Sequence, residues 1–238
     1  MVLDLIRSTV DAAGALGDAF DGESPFEAGV LLHGFGANGE DLTSLSPLFP
    51  VRRLWLFPHA PAQLDWGGMV QGRAWFPREP RELEEAMTGV YFSRLREQDP
   101  SGLADSAEEL LATARAEGVE WSRTILGGFS QGAMVALEVA LRAPEPPKAL
   151  LLFSGSLIAE ERWRREAERV AEAGRAPNLF FQSHGNSDYI LPYPEGRGLF
   201  GLLRAAGWEG SFVSFNGGHE IPPDVVREAH RLLYERSD

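Results

Sequence analysis

Residues 124–132, Thr-Ile-Leu-Gly-Gly-Phe-Ser-Gln-Gly, constrain this chain more than any other stretch. The apolar start reads as a buried strand. Gly128-Phe129-Ser130-Gln131-Gly132 then reads as a sharp turn, and Ala133, Val135, Ala136, Val139 and Ala140 give the small apolar face of a following helix. A strand-to-helix turn this tight brings two backbone segments into contact. Glycine is therefore required at 128 and 132, and Ser130 is expected at the tip, exposed, over the helix N-terminus. A bare G-x-S-x-G occurs often by chance; a strand before it and a helix after it make it specific.

A serine at such a tip becomes a nucleophile when an imidazole takes its proton and a carboxylate orients the imidazole. On this kind of turn the partners follow in the order serine, acid, histidine. Between Ser130 and His219 the one aspartate is Asp188, with Glu195 and Glu209 as carboxylate stand-ins. Asp188 lies just past the apolar run 178–182, in a loop at a strand end, where open α/β sheets place their chemistry. The histidines beyond it are His219 and His230. His219 follows the strand-like run 211–215 and Asn216-Gly217-Gly218. His230 falls inside the helical repeat Val225, Val226, Ala229, Leu232, Leu233. Ser130, Asp188 and His219 are therefore the expected catalytic residues.

Short apolar runs at 28–32, 53–57, 124–126, 149–153, 179–182 and 212–215 end in loops, and helical periodicity returns at 103–117, 131–141, 160–173, 198–206 and 223–234. Continuous rather than alternating apolar character marks strands buried on both faces, hence a mostly parallel sheet. The alternation predicts an α/β fold with helices on both faces. At 238 residues, with no internal repeat or linker, the expectation is one domain over 1–238. The first twenty residues fit either a helix or an antiparallel sheet edge. Residues 77–102 carry a charged run and then apolar residues at helical spacing. They read first as a solvated surface helix and second as a lid or insertion over the site.

The net charge of −13 argues against a nucleic-acid partner and against docking on anionic membrane. The chain has no cysteine, which excludes disulfides, thiol nucleophiles and zinc–thiolate sites. It shows no signal-peptide pattern and no run of about 18 apolar residues, so no integral membrane association is expected and a cytoplasmic location is. A homodimer is left open.

His33-Gly34-Phe35-Gly36-Ala37-Asn38-Gly39 follows an early strand. Its glycines allow a tight loop with exposed amides. With the residue after the nucleophile supplying one oxyanion donor and such a loop the other, the expected donors are the main-chain N–H groups of Gln131 and Phe35, a plain glycine-rich strand-to-helix turn being the competing reading of the loop. His33, His59 and His184 read as structural loop residues, and the five scattered histidines give no metal-ligand spacing, so no metal is expected. Trp66, Met69 and Trp75, with Leu157, Ile190 and Leu191, are candidates for an apolar acyl-binding wall. Ordinary core is the competing reading for each.

Taken together, the segments 33–41, 58–61, 75–76, 127–133 and 153–155, His184 to Asp188 with Pro192, and 218–222 resemble the phospholipase/carboxylesterase family, which includes the acyl-protein thioesterases. The motifs span from about residue 28 to the C-terminus in one order. The resemblance implies an α/β-hydrolase fold and a serine carboxylesterase hydrolysing carboxylic esters, thioesters or lysophospholipids. It implies a Ser130-Asp188-His219 triad, an acyl-enzyme, oxyanion donors at Phe35 and Gln131, a small-molecule ester as substrate, and no cofactor. The N-terminal residues and the segment 77–102 depart from the pattern, and in that family the latter region shapes the acyl channel. Two other readings stand beside it. An acyltransferase would use the same triad and exclude water, and a ligand-binding protein could occupy the same fold without turnover. A dienelactone-hydrolase-like enzyme is disfavoured because the nucleophile there is a cysteine.

Overall fold

The computed structural model describes residues 2–9, 24–65, 70–77 and 95–235. In chain order its strands are β1 (Leu5–Thr9), β2 (Phe26–Leu32), β3 (Val51–Pro58), β4 (Ala62–Asp65), β5 (Val70–Ala74), β6 (Thr124–Phe129), β7 (Ala149–Phe153), β8 (Leu179–Gly185) and β9 (Gly210–Phe215). Its α-helices are α1 (Leu103–Ala116), α2 (Gln131–Arg142), α3 (Glu160–Glu172), α4 (Tyr193–Ala205) and α5 (Pro223–Glu235).

Seven strands form one sheet in the order β1-β3-β2-β6-β7-β8-β9. Every pairing in it is parallel except β1 with β3, where Leu5 faces Pro58 and Thr9 faces Leu54. The N-terminal ambiguity therefore resolves to an antiparallel edge over residues 5–9; residues 10–23 lie outside the described residues. The six apolar runs are all strands, because a sheet covered on both sides gives every side chain an apolar neighbour.

Alternate strand residues feed two cores, as the two-residue period of a strand demands. Leu32, Leu56, Leu126, Leu150, Leu152 and Phe180 pack with side chains of α1, α2, α3 and α4, including Leu110, Leu137, Trp163 and Leu199. Their neighbours Leu31, Trp55, Phe57, Ile125, Leu151 and Phe181 pack on the other side with Val225, Ala229 and Leu233 of α5. Helices thus cover both faces.

Two local features departed from the expected pattern. Helix α4 begins at Tyr193 rather than 198, with Pro192 at its N-cap and Pro194 in its first turn. Proline is tolerated there because the first helical N–H groups have no partner within the helix. The second is the hairpin β4–β5, paired from Ala62 with Ala74 to Asp65 with Val70 and interrupted by a bulge. It was not expected from the sequence, since two short strands with Gln63, Asp65, Gln71 and Arg73 among them carry no apolar alternation.

Residues 78–94, the body of the expected surface helix or lid, lie outside the described residues. The chain re-enters in a short 3-10 turn, Leu95–Glu97. Gln98 accepts the Ala159 N–H at 2.7 Å, and Asp99 takes both arms of Arg162 at 2.7 Å. Arg162 also binds the fully buried Glu138 of α2 at 2.7 Å, which accepts from Arg142 and the Trp163 indole as well. A buried carboxylate needs this many donors, because burial without them strongly disfavours its charge.

Candidate active site

Strand β6 ends at Phe129 and α2 begins at Gln131, leaving Ser130 alone between them with φ 57° and ψ −120°. A non-glycine residue held there is strained, and such strain persists only where the surroundings impose it. They do so here. Ser130 N–H donates to the Phe153 carbonyl of β7 at 2.9 Å, and its own carbonyl accepts from Ala133 N–H at 3.0 Å. A Cβ at Gly128 would lie 2.3 Å from the Gly132 carbonyl group, and one at Gly132 would lie 2.1 Å from the Leu32 carbonyl oxygen. The two glycines are thus a packing necessity. They let the elbow close on itself and let the start of α2 sit against the end of β2.

Asp188 lies after β8 and His219 after β9, on neighbouring parallel strands. His219 Nδ1 is 2.7 Å from Asp188 Oδ2. Asp188 Oδ1 accepts from the main-chain N–H groups of Ile190 at 2.8 Å and Leu191 at 2.9 Å. Burial alone would raise the Asp188 pKa. Hydrogen bonds from the His184 and His219 side chains and the Leu191 N–H outweigh it and hold the carboxyl well below the usual carboxylate range. The group is therefore an anion from mildly acidic pH upward, and as an acceptor it fixes the Nδ1–H tautomer of the ring. The His219 ring lies against Phe129, the residue before Ser130, with ring centroids 4.7 Å apart. Ser130 is 8% exposed, and its Oγ makes no hydrogen bond among the described residues.

The loop after β2 also approaches the serine. A Cβ added to Gly34 would be 3.5 Å from Ser130 Cβ and 3.2 Å from the Phe129 ring. The N–H groups of Phe35 and Gln131 make no hydrogen bond among the described residues, whereas Gly36 N–H donates to Arg73 O at 2.9 Å and Arg73 N–H returns to Ala37 O at 2.9 Å. Hairpin strand β5 therefore pairs with this loop.

His33 is 1% exposed and acts inside the loop. Its Nε2 accepts the Ala60 N–H at 3.1 Å, which leaves Nδ1–H to donate to the Gly34 carbonyl at 2.7 Å. Gly34 C=O and Phe35 N–H belong to one planar peptide unit, so fixing one end fixes the direction of the other. The loop-residue reading of His33 holds, and the structure adds its task. Burial drives the His33 pKa down from its ordinary 6.5 to about 4, with His59 and Arg73 adding to the effect and the Gly34 bond opposing it. Between pH 6.5 and 4 the folded chain therefore binds fewer protons at His33 than the unfolded chain. The resulting loss is absent above pH 6.5, grows as pH falls, and is complete near pH 4, at about 3 kcal/mol. Denaturant melts of wild type should fall across that window, and a folded His33→Gln variant should lack this part of the slope. Equal slopes in the two proteins would remove His33 as the cause. Asp188 acts below this window, because its depressed pKa means its contribution is lost only as pH falls below about 3.8.

The remaining candidates fall into three groups. Leu157 and Leu191 are buried in the core, 1% and 2% exposed, while Ile190 is 54% exposed beside Asp188, next to Tyr189 at 83%. Trp75 is 1% exposed, its indole N–H donating to the His33 carbonyl at 2.8 Å and its ring 5.2 Å from the imidazole. Trp66 and Met69, between β4 and β5 in the chain, lie outside the described residues. Glu195 is bound to Arg96 at 2.7 Å, and His230 sits on α5 with its Nδ1 on the Leu48 carbonyl. His184 is a buried residue at the end of β8. Its Nε2 is 2.7 Å from Leu191 O and 3.3 Å from Asp188 Oδ2, so it buttresses the Asp188 loop. The sequence signal for that was its place four residues before Asp188.

A mostly parallel sheet of this order, with a strained serine between β6 and α2, defines the α/β-hydrolase class. Within it, the model of the phospholipase/carboxylesterase family matches residues 23–236, and the chain belongs to that family. It is similar to acyl-protein thioesterase 1 of Emericella nidulans, 24% identical over 219 residues, covering 86% of this chain and 87% of the relative. Acyl-protein thioesterase 1 of Eremothecium gossypii is 29% identical over 231 residues, with coverage of 88% and 87%. Among solved structures, esterase PE8 superposes with a TM-score of 0.74 at 29% identity over 99% of both chains. Acyl-protein thioesterase 2 of Zea mays gives 0.71 at 22% identity over 98% and 99%, a likeness of fold. The chain is accordingly an ester-hydrolysing enzyme of the serine hydrolase class. No helix among the described residues is long and apolar enough to cross a membrane, and no group of three or more His, Cys, Asp or Glu among them is arranged to hold a metal ion.

Proposed function

We propose that this enzyme hydrolyses short- to medium-chain carboxylic esters and thioesters through a Ser130-His219-Asp188 triad. His219 Nε2 takes the Ser130 proton as Oγ attacks the acyl carbonyl. Asp188 orients the imidazole and stabilises its charged form. The tetrahedral oxyanion rests on the Phe35 and Gln131 N–H groups, the alcohol or thiol leaves with the proton from His219, and water repeats the cycle on the acyl-enzyme. The observation that carries the reading is the 2.7 Å bond from His219 Nδ1 to the buried Asp188 carboxylate, beside a serine held at φ 57°. The Phe35 and Gln131 N–H groups, without hydrogen bonds among the described residues, support it further.

The acyl chain is proposed to run past Ile190, and Trp66 and Met69 are kept as sequence candidates for the same wall. Leu157 and Leu191 would serve as buried backing. Each methylene buried there contributes about 0.8 kcal/mol, close to fourfold in kcat/KM, until the site is full. A p-nitrophenyl ester and matching thioester series should show kcat/KM rising over short chains and then levelling or falling, with all turnover lost in proportion to fluorophosphonate capture at Ser130. Turnover that survives complete labelling would overturn the triad. A flat profile that is unchanged in Ile190→Ser would overturn the acyl path alone.

A further inference from the structure

Gln131 has a side chain as well as an N–H, and the side chain is fully engaged. It is 3% exposed. Its Oε1 accepts the Trp75 main-chain N–H at 2.9 Å, and its Nε2 donates to the Phe76 carbonyl at 2.9 Å. A carboxamide that pairs with both a main-chain N–H and the next residue's carbonyl holds that dipeptide at two points. It binds residues 75–76 to the first residue of α2. From those residues the chain reaches back to the loop after β2: Trp75 Nε1 holds the His33 carbonyl at 2.8 Å, and Arg73 exchanges two main-chain bonds with Gly36 and Ala37. Ser106 of α1 closes the far side by donating to the Trp75 carbonyl. The close approach is obligatory, since a Cβ at Gly72 would fall 1.9 Å from the Gly36 carbonyl oxygen.

We propose that residues 72–76 form a strap that sets the distance between the two oxyanion donors, and that the Gln131 carboxamide is the clamp locking it to the elbow. The proposal rests on the assignment of Ser130 as nucleophile and of the Phe35 and Gln131 N–H groups as donors. One donor is carried by the elbow and the other by the loop, and separate elements of the chain support them. Below the two donors β2 and β6 are already paired, up to Leu32 with Gly128, and beyond that pairing the strap links loop and elbow by side-chain and main-chain hydrogen bonds. Gln131 is therefore a positioning residue through its side chain, whatever its main chain does. His33 and Trp75 complete the link, His33 by fixing the Gly34–Phe35 peptide and Trp75 by fixing the peptide before it.

The test exploits the fact that substitution at 131 leaves the main-chain N–H in place. Gln131→Met keeps the length and removes both bonds of the clamp. Trp75→Phe keeps a ring and removes the indole bond to His33. Rates are taken per active site titrated with a fluorophosphonate, so that a partly folded preparation still gives a value. Each variant should lose about 10- to 100-fold in kcat on a short p-nitrophenyl ester with KM changed little, the loss expected when a donor is displaced rather than deleted. The double variant should be no worse than about the poorer single one, because both act on the same strap. Trp163→Phe serves as the control. It removes a buried indole bond to Glu138 that touches neither strap nor loop, so it should lower the melting temperature and leave kcat per titrated site unchanged. Gln131→Met with a kcat within twofold of wild type, or a double variant whose losses multiply, would overturn the clamp. If Gln131→Met does not fold, Trp75→Phe decides by the same twofold criterion. Wild-type enzyme that takes up the fluorophosphonate elsewhere than Ser130 would instead overturn the assignment underneath.

Discussion

Ser130→Ala should reduce ester hydrolysis by up to ~10⁶-fold, the loss seen when a triad nucleophile is removed, while the protein still folds. Both parts follow from the elbow. The Oγ makes no hydrogen bond among the described residues, so no buried partner is orphaned by its removal. The strained backbone at φ 57° is imposed by Gly128, Gly132 and the Phe153 carbonyl rather than by the hydroxyl. The measurement pairs steady-state turnover with a thermal melt and with fluorophosphonate labelling mapped to a peptide. A folded variant with wild-type-like turnover would falsify the assignment. A variant that is inactive because it has unfolded would show it in the melt, and Ser130→Cys would then report whether a nucleophile at this tip is what the reaction needs.

The parts of this molecule that were legible in the sequence are those that repeat locally. Runs such as 149–153 contain nothing but apolar residues because both faces of β7 are covered, and a strand in that setting needs no alternation to be recognised. The elbow was legible for a different reason. Gly128 is forced by Gly132 four residues on, so that part of the cause sits inside the motif, while Gly132 is forced by the distant Leu32 carbonyl and was legible through the motif alone. Asp188 and His219 were reachable through chain order and strand ends, although nothing in the sequence specifies the 2.7 Å between them.

What stayed hidden depends on pairings between distant segments. Gln131 meets Trp75 across 56 residues and Trp75 meets His33 across 42, and neither pairing leaves a period or a composition to read. Trp75 was grouped with an acyl wall because aromatic residues near a site suit that task. Burial at 1% exposure and an engaged indole N–H place it behind the loop. The hairpin β4–β5 escaped because half of its side chains are polar and its strands are four and five residues long. The buried Glu138 network escaped because a glutamate on a helix reads as solvated until its three donors, Arg142, Arg162 and Trp163, are seen converging on it.

His219→Ala should match Ser130→Ala in severity, because nucleophile and base act as one unit and removing either forfeits nearly the whole effect. His230→Ala should leave kcat/KM within about twofold, since a surface change away from the reacting groups removes no transition-state contact. The contrast is chosen because both histidines lie late in the chain and each has one well-made bond. His219 gives its Nδ1 to Asp188, which leaves Nε2 as the one ring nitrogen available to Ser130. His230 gives its Nδ1 to the Leu48 carbonyl, stacked on Tyr234 of the same helix. Asp188→Asn grades the same argument. An amide can present a donor to Nδ1 and invert the tautomer, which in a triad of this type lowers kcat by up to ~10⁴-fold. The loss should stay smaller than that of His219→Ala, because the base itself remains. Glu195→Gln supplies the counter-test, and near-normal activity is expected of it, because Glu195 is bound to Arg96. A fully active Asp188→Asn beside an inactive Glu195→Gln would transfer the acid's role and break the triad proposed here. An inactive His230→Ala beside an active His219→Ala would do the same for the base.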